Sequence, residues 1–276
     1  MRRDAATPRP PRIRTGGRSG DERRELVGDH SVDLFDRSLL ELVERAVVVA
    51  GIFILIILDM ISLPPAEGMT RADLYYLKPS GKPRAVLVYC PGVNGVGDYF
   101  VKSEEWQAFA RENNLGLAGL SFASGKGTRD PAYYYAEKGS GDLLLSGLRR
   151  IYGTDLPLLL YGFSGGAHFT SHLVDFQPKR ILAWCAYAGG TWGMTRAAKS
   201  DAPGLLACGT EDPRYEKCFQ YYRSGREEGR NWSWLALPNQ DHSRCPEMDA
   251  AVKPFFLRRL TQTEPLISLS DSALRR

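Results

Sequence analysis

The sequence predicts an α/β protein, with a mostly parallel central sheet and helices on both of its faces. Three observations carry that expectation. Beyond residue 65, short apolar runs alternate with longer helix-forming stretches, the pattern of repeated strand–helix units. Gly162-Phe163-Ser164-Gly165-Gly166 lies directly between an apolar run at 158–161 and a helix-forming stretch, so a tight strand-to-helix turn is expected there. The 276 residues have ordinary globular composition and room for one domain of roughly 200 residues behind an N-terminal extension.

Taken in order, the expected strands are 72–78, 85–90, 116–121, 158–163, 181–188, 204–208 and 232–237. The expected helices are 104–113, 142–152, 165–176, 214–229 and 247–260, with Pro254 expected to kink the last or delay its start. Too few residues separate 188 from 204 for a large cap domain. The site should therefore be open, walled by the loop 122–138, with Lys126, Arg129 and Tyr133-Tyr134-Tyr135, and by Trp192-Gly193-Met194. The tyrosines either stack on substrate or simply pack the loop.

The N-terminal part has a different character. Residues 1–30 form an Arg/Pro/Gly-rich tail expected to be disordered, with eight arginines in the first 24 residues against Asp4, Asp21 and Glu22. No aromatics are interleaved, and the net charge is only +4, which argues against nucleic acid as a partner. Residues 31–65 are expected to be helical and to carry the uninterrupted apolar run 46–58. Thirteen residues fall short of the ~20 that span a bilayer. A helix over 39–63 would suffice, with Glu41, Glu44 and Asp59 towards the interfaces and the arginine-rich tail in the cytoplasm. An export signal is the other membrane reading, including one in which translation starts nearer residue 43. Both are favoured over a soluble cytoplasmic protein whose helix packs on the domain. The main α/β domain is placed at 66–262 and a C-terminal tail at 263–276. Five cysteines without C-x-x-C spacing argue against a full disulfide framework, and Cys90, Cys185 and Cys208 read as small buried hydrophobes.

Chemistry enters at Ser164. A serine at the tip of a strand-to-helix turn sits on strained backbone, and small residues at Gly162 and Gly166 let strand and helix approach. Its hydroxyl needs a base, and that base needs a carboxylate to orient it. Of the four histidines, His30 lies upstream, while His168 and His172 follow the serine on the helix, facing the wrong way for the chemistry. His242 remains, in a loop after the strand candidate 232–237. The acid should end the preceding strand, where Asp212 is the first choice and Glu211 the fallback. Two N–H donors must then face the oxyanion. Gly165 supplies one, and the glycine-rich loop Pro91-Gly92-Val93-Asn94-Gly95-Val96-Gly97 supplies the other, from Val93 first or Asn94 second.

These motifs together resemble the α/β-hydrolase superfamily, specifically small single-domain esterases of the dienelactone-hydrolase and polyhydroxybutyrate-depolymerase-like kind. The resemblance runs over roughly residues 70–262 and includes the chain order Ser164, Asp212, His242. It implies an α/β-hydrolase fold, a small-molecule acyl substrate, a serine esterase reaction and no cofactor or metal. Two departures qualify it. Pro91 stands where many members carry a histidine, and dienelactone hydrolases proper use a cysteine nucleophile, so that activity is not implied. Gly125-Lys126-Gly127-Thr128 lacks the spacing and hydroxyl of a phosphate loop, and neither zinc spacing nor a dinucleotide fingerprint occurs. The alternatives are an exopeptidase or acyltransferase on the same fold, or a catalytically silent, membrane-tethered binding protein. Cell fractionation with N-terminal sequencing tests the reading of the apolar run. The expected product is membrane-bound or exported; a full-length soluble cytosolic chain overturns it.

Overall fold

A computed structural model of the chain describes residues 59–189 and 200–262. The expectations for the tail 1–30, the apolar run 46–58, Trp192-Gly193-Met194 and the tail 263–276 lie outside the described residues.

Eight strands make one sheet: β1 (Asp59–Ser62), β2 (Met69–Leu77), β3 (Ala85–Cys90), β4 (Leu115–Ser124), β5 (Leu158–Phe163), β6 (Ile181–Tyr187), β7 (Gly204–Gly209) and β8 (Trp232–Leu237). Their order is β1-β2-β4-β3-β5-β6-β7-β8. The β1–β2 and β2–β4 pairs are antiparallel, and every pair from β4–β3 to β7–β8 is parallel. The helices are α1 (Asp98–Lys102), α2 (Glu104–Glu112), α3 (Ser140–Tyr152), α4 (Gly165–Phe176), α5 (Tyr215–Glu227) and α6 (Pro246–Gln262). Among the described residues no cap domain covers the strand ends.

Both sheet faces are covered, and strand periodicity explains how. In β3, Val86, Val88 and Cys90 enter one apolar layer while Ala85, Leu87 and Tyr89 enter the other, so all six residues are buried. Leu144 and Leu148 of α3 and Phe169 and Leu173 of α4 close the first layer. Phe100 of α1, Trp106 of α2 and Met248, Val252 and Phe256 of α6 close the second. Ser103 starts α2 by accepting the Trp106 N–H at its side chain. All five cysteines are buried thiols, and burial pushes Cys90 up to about 12, so it stays protonated.

The structure corrects three expectations. Residues 59–62 do not continue a helix; they form edge strand β1, and the sheet begins before residue 66. Ile61 and Leu63, two residues apart, pack into the apolar layer, while Ser62 between them is exposed and Met60 before them is 47% exposed. That alternation of period two spans too few residues to stand out beside a long apolar run. The short helix α1 was not expected after the glycine-rich loop. Pro254 neither breaks nor delays α6, which starts at Pro246 and runs through to Gln262. Both Pro254 and Ala250, whose carbonyl loses its partner to the proline, lie on the exposed side, where the carbonyl is open to solvent. No helix among the described residues is long and apolar enough to cross a membrane.

One backbone contact seats the loop after β3. A β-carbon on Gly119 of β4 would lie 2.0 Å from the Gly97 carbonyl oxygen, and Gly97 is tied down by its N–H to Ser121 Oγ at 3.1 Å. Gly119→Ala is expected to destabilise the fold by about 1–3 kcal/mol. Urea denaturation should show a lower midpoint at unchanged slope; an unshifted midpoint overturns the expectation.

Candidate active site

Ser164 is the single residue between β5 and α4, with φ 51° and ψ −114°. Such a conformation costs about 1–3 kcal/mol and persists only where its surroundings impose it. Here they do. A β-carbon on Gly166 would lie 1.9 Å from the Cys90 carbonyl oxygen, and one on Gly162 would lie 2.5 Å from the Gly166 carbonyl oxygen. The strand end, the helix start and the end of β3 therefore touch through backbone. The Ser164 N–H donates to the Tyr187 carbonyl at 2.8 Å and fixes the tip to β6.

His242 follows β8 and brings its Nε2 to 2.9 Å from Ser164 Oγ. Its Nδ1 stands 2.6 Å from Asp212 Oδ2, past the end of β7. The ring lies nearly parallel to that of Phe163, at 5.4 Å between centroids. Asp212 is the residue that meets His242; Glu211 is exposed. The other Asp212 oxygen accepts the Arg214 N–H at 2.9 Å. Burial by itself raises the Asp212 pKa, but the hydrogen bonds from His242 and the Arg214 backbone outweigh it and hold the carboxyl below its ordinary value. Gly209 also serves this assembly, since a β-carbon there would lie 2.1 Å from the Gln240 carbonyl oxygen and would push the acid and histidine loops apart.

Of the expected oxyanion donors, the structure places two beside the serine. Gly165 is the first residue of α4, so its N–H has no acceptor within the helix. A β-carbon built on Gly165 would lie 2.8 Å from Val93 N, and the Val93 N–H has no hydrogen-bond partner among the described residues. Asn94 is a correction: its N–H is committed to Tyr133 Oη at 2.9 Å and does not face the serine. Its φ of 54° turns the peptide away, and its side chain accepts the Ser124 N–H at 2.9 Å. Sequence reasoning also missed Arg71, which clamps this loop by donating to the Asn94 and Gly95 carbonyls, both at 2.8 Å, and to Ser121 O at 3.0 Å. An arginine just before a strand candidate gives no signal of that role.

A cavity of about 220 Å3 opens beside Ser164. Among the described residues Val93 is the one aliphatic side chain on its wall; the other side chains there are polar or aromatic, including Arg129, Asp130, Arg214, Tyr134 and Tyr135. Tyr133, by contrast, is buried against Phe122, and Lys126 does not reach the wall. Both helix histidines line the cavity as well, where sequence reasoning expected mainly surface or core residues. His168 stacks on Tyr134 at 4.9 Å between centroids, and its Nε2–H donates to the Gly189 carbonyl at 3.1 Å. His172 stands 3.7 Å from Glu137. Helical spacing of four residues, which puts both rings on one side of α4, was the available signal. Among the described residues no group of His, Cys, Asp and Glu is arranged to hold a metal ion.

Burial lowers the His168 pKa from 6.5 to about 4. Between those values the unfolded chain takes up a proton that the folded chain refuses, so stability is full above about 6.5 and falls as pH drops towards 4. Burial depresses His172 in the same direction against the pull of Glu137. Urea midpoints should therefore be lower at pH 5 than at pH 7, with a smaller difference in His168→Gln. An equal difference in both proteins overturns this account of His168.

No protein-family model matches the sequence, and no curated protein does. Solved structures do resemble it. Poly(aspartic acid) hydrolase-1 from Sphingomonas sp. KT-1 aligns at TM-score 0.53 and 15% identity over 71% of this chain and 97% of its own. An S-formylglutathione hydrolase from Agrobacterium tumefaciens aligns at 0.53 and 16%, over 73% and 94%. LpqC, a poly(3-hydroxybutyrate) depolymerase from Bordetella parapertussis, aligns at 0.53 and 17%, over 73% and 91%. Identities this low speak to architecture. The sheet order, the turn that carries Ser164 and these likenesses together establish that the chain has the α/β-hydrolase fold.

Proposed function

We propose that the chain is a serine hydrolase that cleaves an ester bond through an acyl-enzyme. One observation carries the reading: Ser164 Oγ, His242 and Asp212 form a continuous hydrogen-bonded chain at 2.9 and 2.6 Å, at the open end of a sheet. In this reading His242 Nε2 takes the Ser164 proton as Oγ attacks the acyl carbon. Asp212 holds the imidazole with Nδ1–H towards itself and stabilises the imidazolium that forms. The Gly165 and Val93 N–H groups receive the oxyanion, and His242 returns the proton to the leaving oxygen. Water then repeats the sequence on the acyl-enzyme, so the cycle calls on no cofactor. The three similar structures named above are hydrolases by name, which supports the class without choosing a substrate.

The cavity supports a short or polar acyl portion over a long aliphatic one. Among the described residues its wall offers a hydrocarbon chain little apolar contact beyond Val93, and its arginines, tyrosines and imidazoles would lose water without compensation.

A fluorophosphonate probe should label the purified protein, and labelling should vanish in Ser164→Ala. Hydrolysis of p-nitrophenyl esters should fall by at least about 10⁴-fold in Ser164→Ala and in His242→Ala. Absence of labelling in the parent chain would favour a silent binding protein. Turnover of aminoacyl amides in place of esters would make it an exopeptidase, and transfer to an added alcohol or amine in preference to water would make it an acyltransferase.

A further inference from the structure

We propose that the Tyr134 hydroxyl is a third donor to the oxyanion, beside the N–H groups of Gly165 and Val93, and is thereby a catalytic residue. This inference rests on the serine-hydrolase reading.

The geometry comes first. A β-carbon built on Gly165 would lie 2.6 Å from Tyr134 Oη and 2.8 Å from Val93 N, so the phenol and the loop amide converge on one point beside the start of α4. Ser164 lines the same cavity as these three residues. The Tyr134 ring is also held from two sides. It stacks on His168 with 6° between the planes, and the Tyr133 ring meets it edge to face at 5.0 Å.

The direction of the hydroxyl proton follows from where Tyr134 stands. Tyr133 behind it takes up the Asn94 N–H, which donates to its Oη at 2.9 Å. Tyr134 lines the cavity with its Oη beside Gly165, so its proton can turn to an oxygen bound there. Burial holds the Tyr134 phenol above its ordinary pKa, so it remains a neutral donor.

In the reaction, Ser164 Oγ bonds to the acyl carbon, its proton passes to His242 Nε2, and the carbonyl π pair moves onto oxygen. Tyr134 shares its proton with that oxygen in a hydrogen bond and keeps it. When the intermediate collapses, the carbonyl reforms, the bond to the leaving oxygen breaks, and His242 supplies that oxygen with a proton. No net proton passes through Tyr134.

The test compares the parent chain with Tyr134→Phe, which removes the donor and keeps the ring and its stacking. The value of kcat for p-nitrophenyl acetate should fall on the order of 10²-fold while KM changes by less than about threefold. The Ki of a trifluoromethyl ketone, which forms a tetrahedral adduct on the serine, should rise in step with the loss of kcat/KM. Tyr134→fluorotyrosine, which keeps the ring and makes its hydroxyl the stronger donor, should lower that Ki, and it provides the test should Tyr134→Phe fold poorly. The proposal is overturned if kcat in Tyr134→Phe stays within about twofold of the parent, if the loss lies in KM alone, or if trifluoromethyl ketone binding is unchanged. In each of those cases a parent chain that takes the fluorophosphonate label and cleaves esters leaves the hydrolase reading standing. A parent chain that does neither removes both.

Discussion

The contact between Gly166 and the Cys90 carbonyl is the constraint on which the rest of the site depends. With no room for a β-carbon there, α4 begins hard against the end of β3, and the chain must turn from strand to helix within one residue. Ser164 absorbs that turn in its left-handed backbone, at a cost of about 1–3 kcal/mol met by the packing around it. The same contact decides where the first free N–H of α4 emerges and which loop lies next to it. Ser164 and the two N–H groups beside it are therefore set by one close approach of backbones.

The parallel register of the sheet supplies the remaining parts. Because β3, β5, β7 and β8 all run in the same direction, the loop of Val93, the serine, the acid and the histidine leave the sheet at one edge. Gly209 against Gln240 draws the last two loops together, and Gly97 against Gly119 anchors the first. Around this edge the wall is polar but dry enough to depress both helix histidines, so their imidazoles face the cavity neutral, as directional hydrogen-bonding groups. Fixed charge on the wall comes from Arg129, Arg214 and Asp130, the last engaged by the Tyr135 hydroxyl at 2.9 Å.

Legibility in the sequence followed the range of the interaction concerned. The strands from β3 to β7 could be read because burial on both faces demands apolar residues almost throughout, and edge strand β8 because its run is apolar apart from Ser233. β1 could not: its contribution rests on Ile61 and Leu63 finding a partner strand whose own residues lie further along the chain. Ser164, His242 and the acid pair stood out because few residue types can do the work and glycines mark where the backbone must be close. The choice between neighbouring Glu211 and Asp212 needed the fold, since one of two adjacent side chains is exposed and the other turns under the imidazole. Asn94 shows the limit most clearly. Whether its N–H faces the serine depends on a backbone dihedral and on a tyrosine 39 residues away.

By itself the sequence determined the class of fold, the elbow and the small set of residues able to act as nucleophile, base and acid. These follow from local periodicity and from the scarcity of chemically competent side chains. Tertiary structure alone decided which carboxylate meets His242, which loop amide is left unpaired, that Tyr134 and His168 share the cavity with the serine, and that Arg71 clamps the loop beside it. Those outcomes turn on hydrogen-bond directions and contacts of a few ångströms between residues distant in sequence, and no local pattern encodes them.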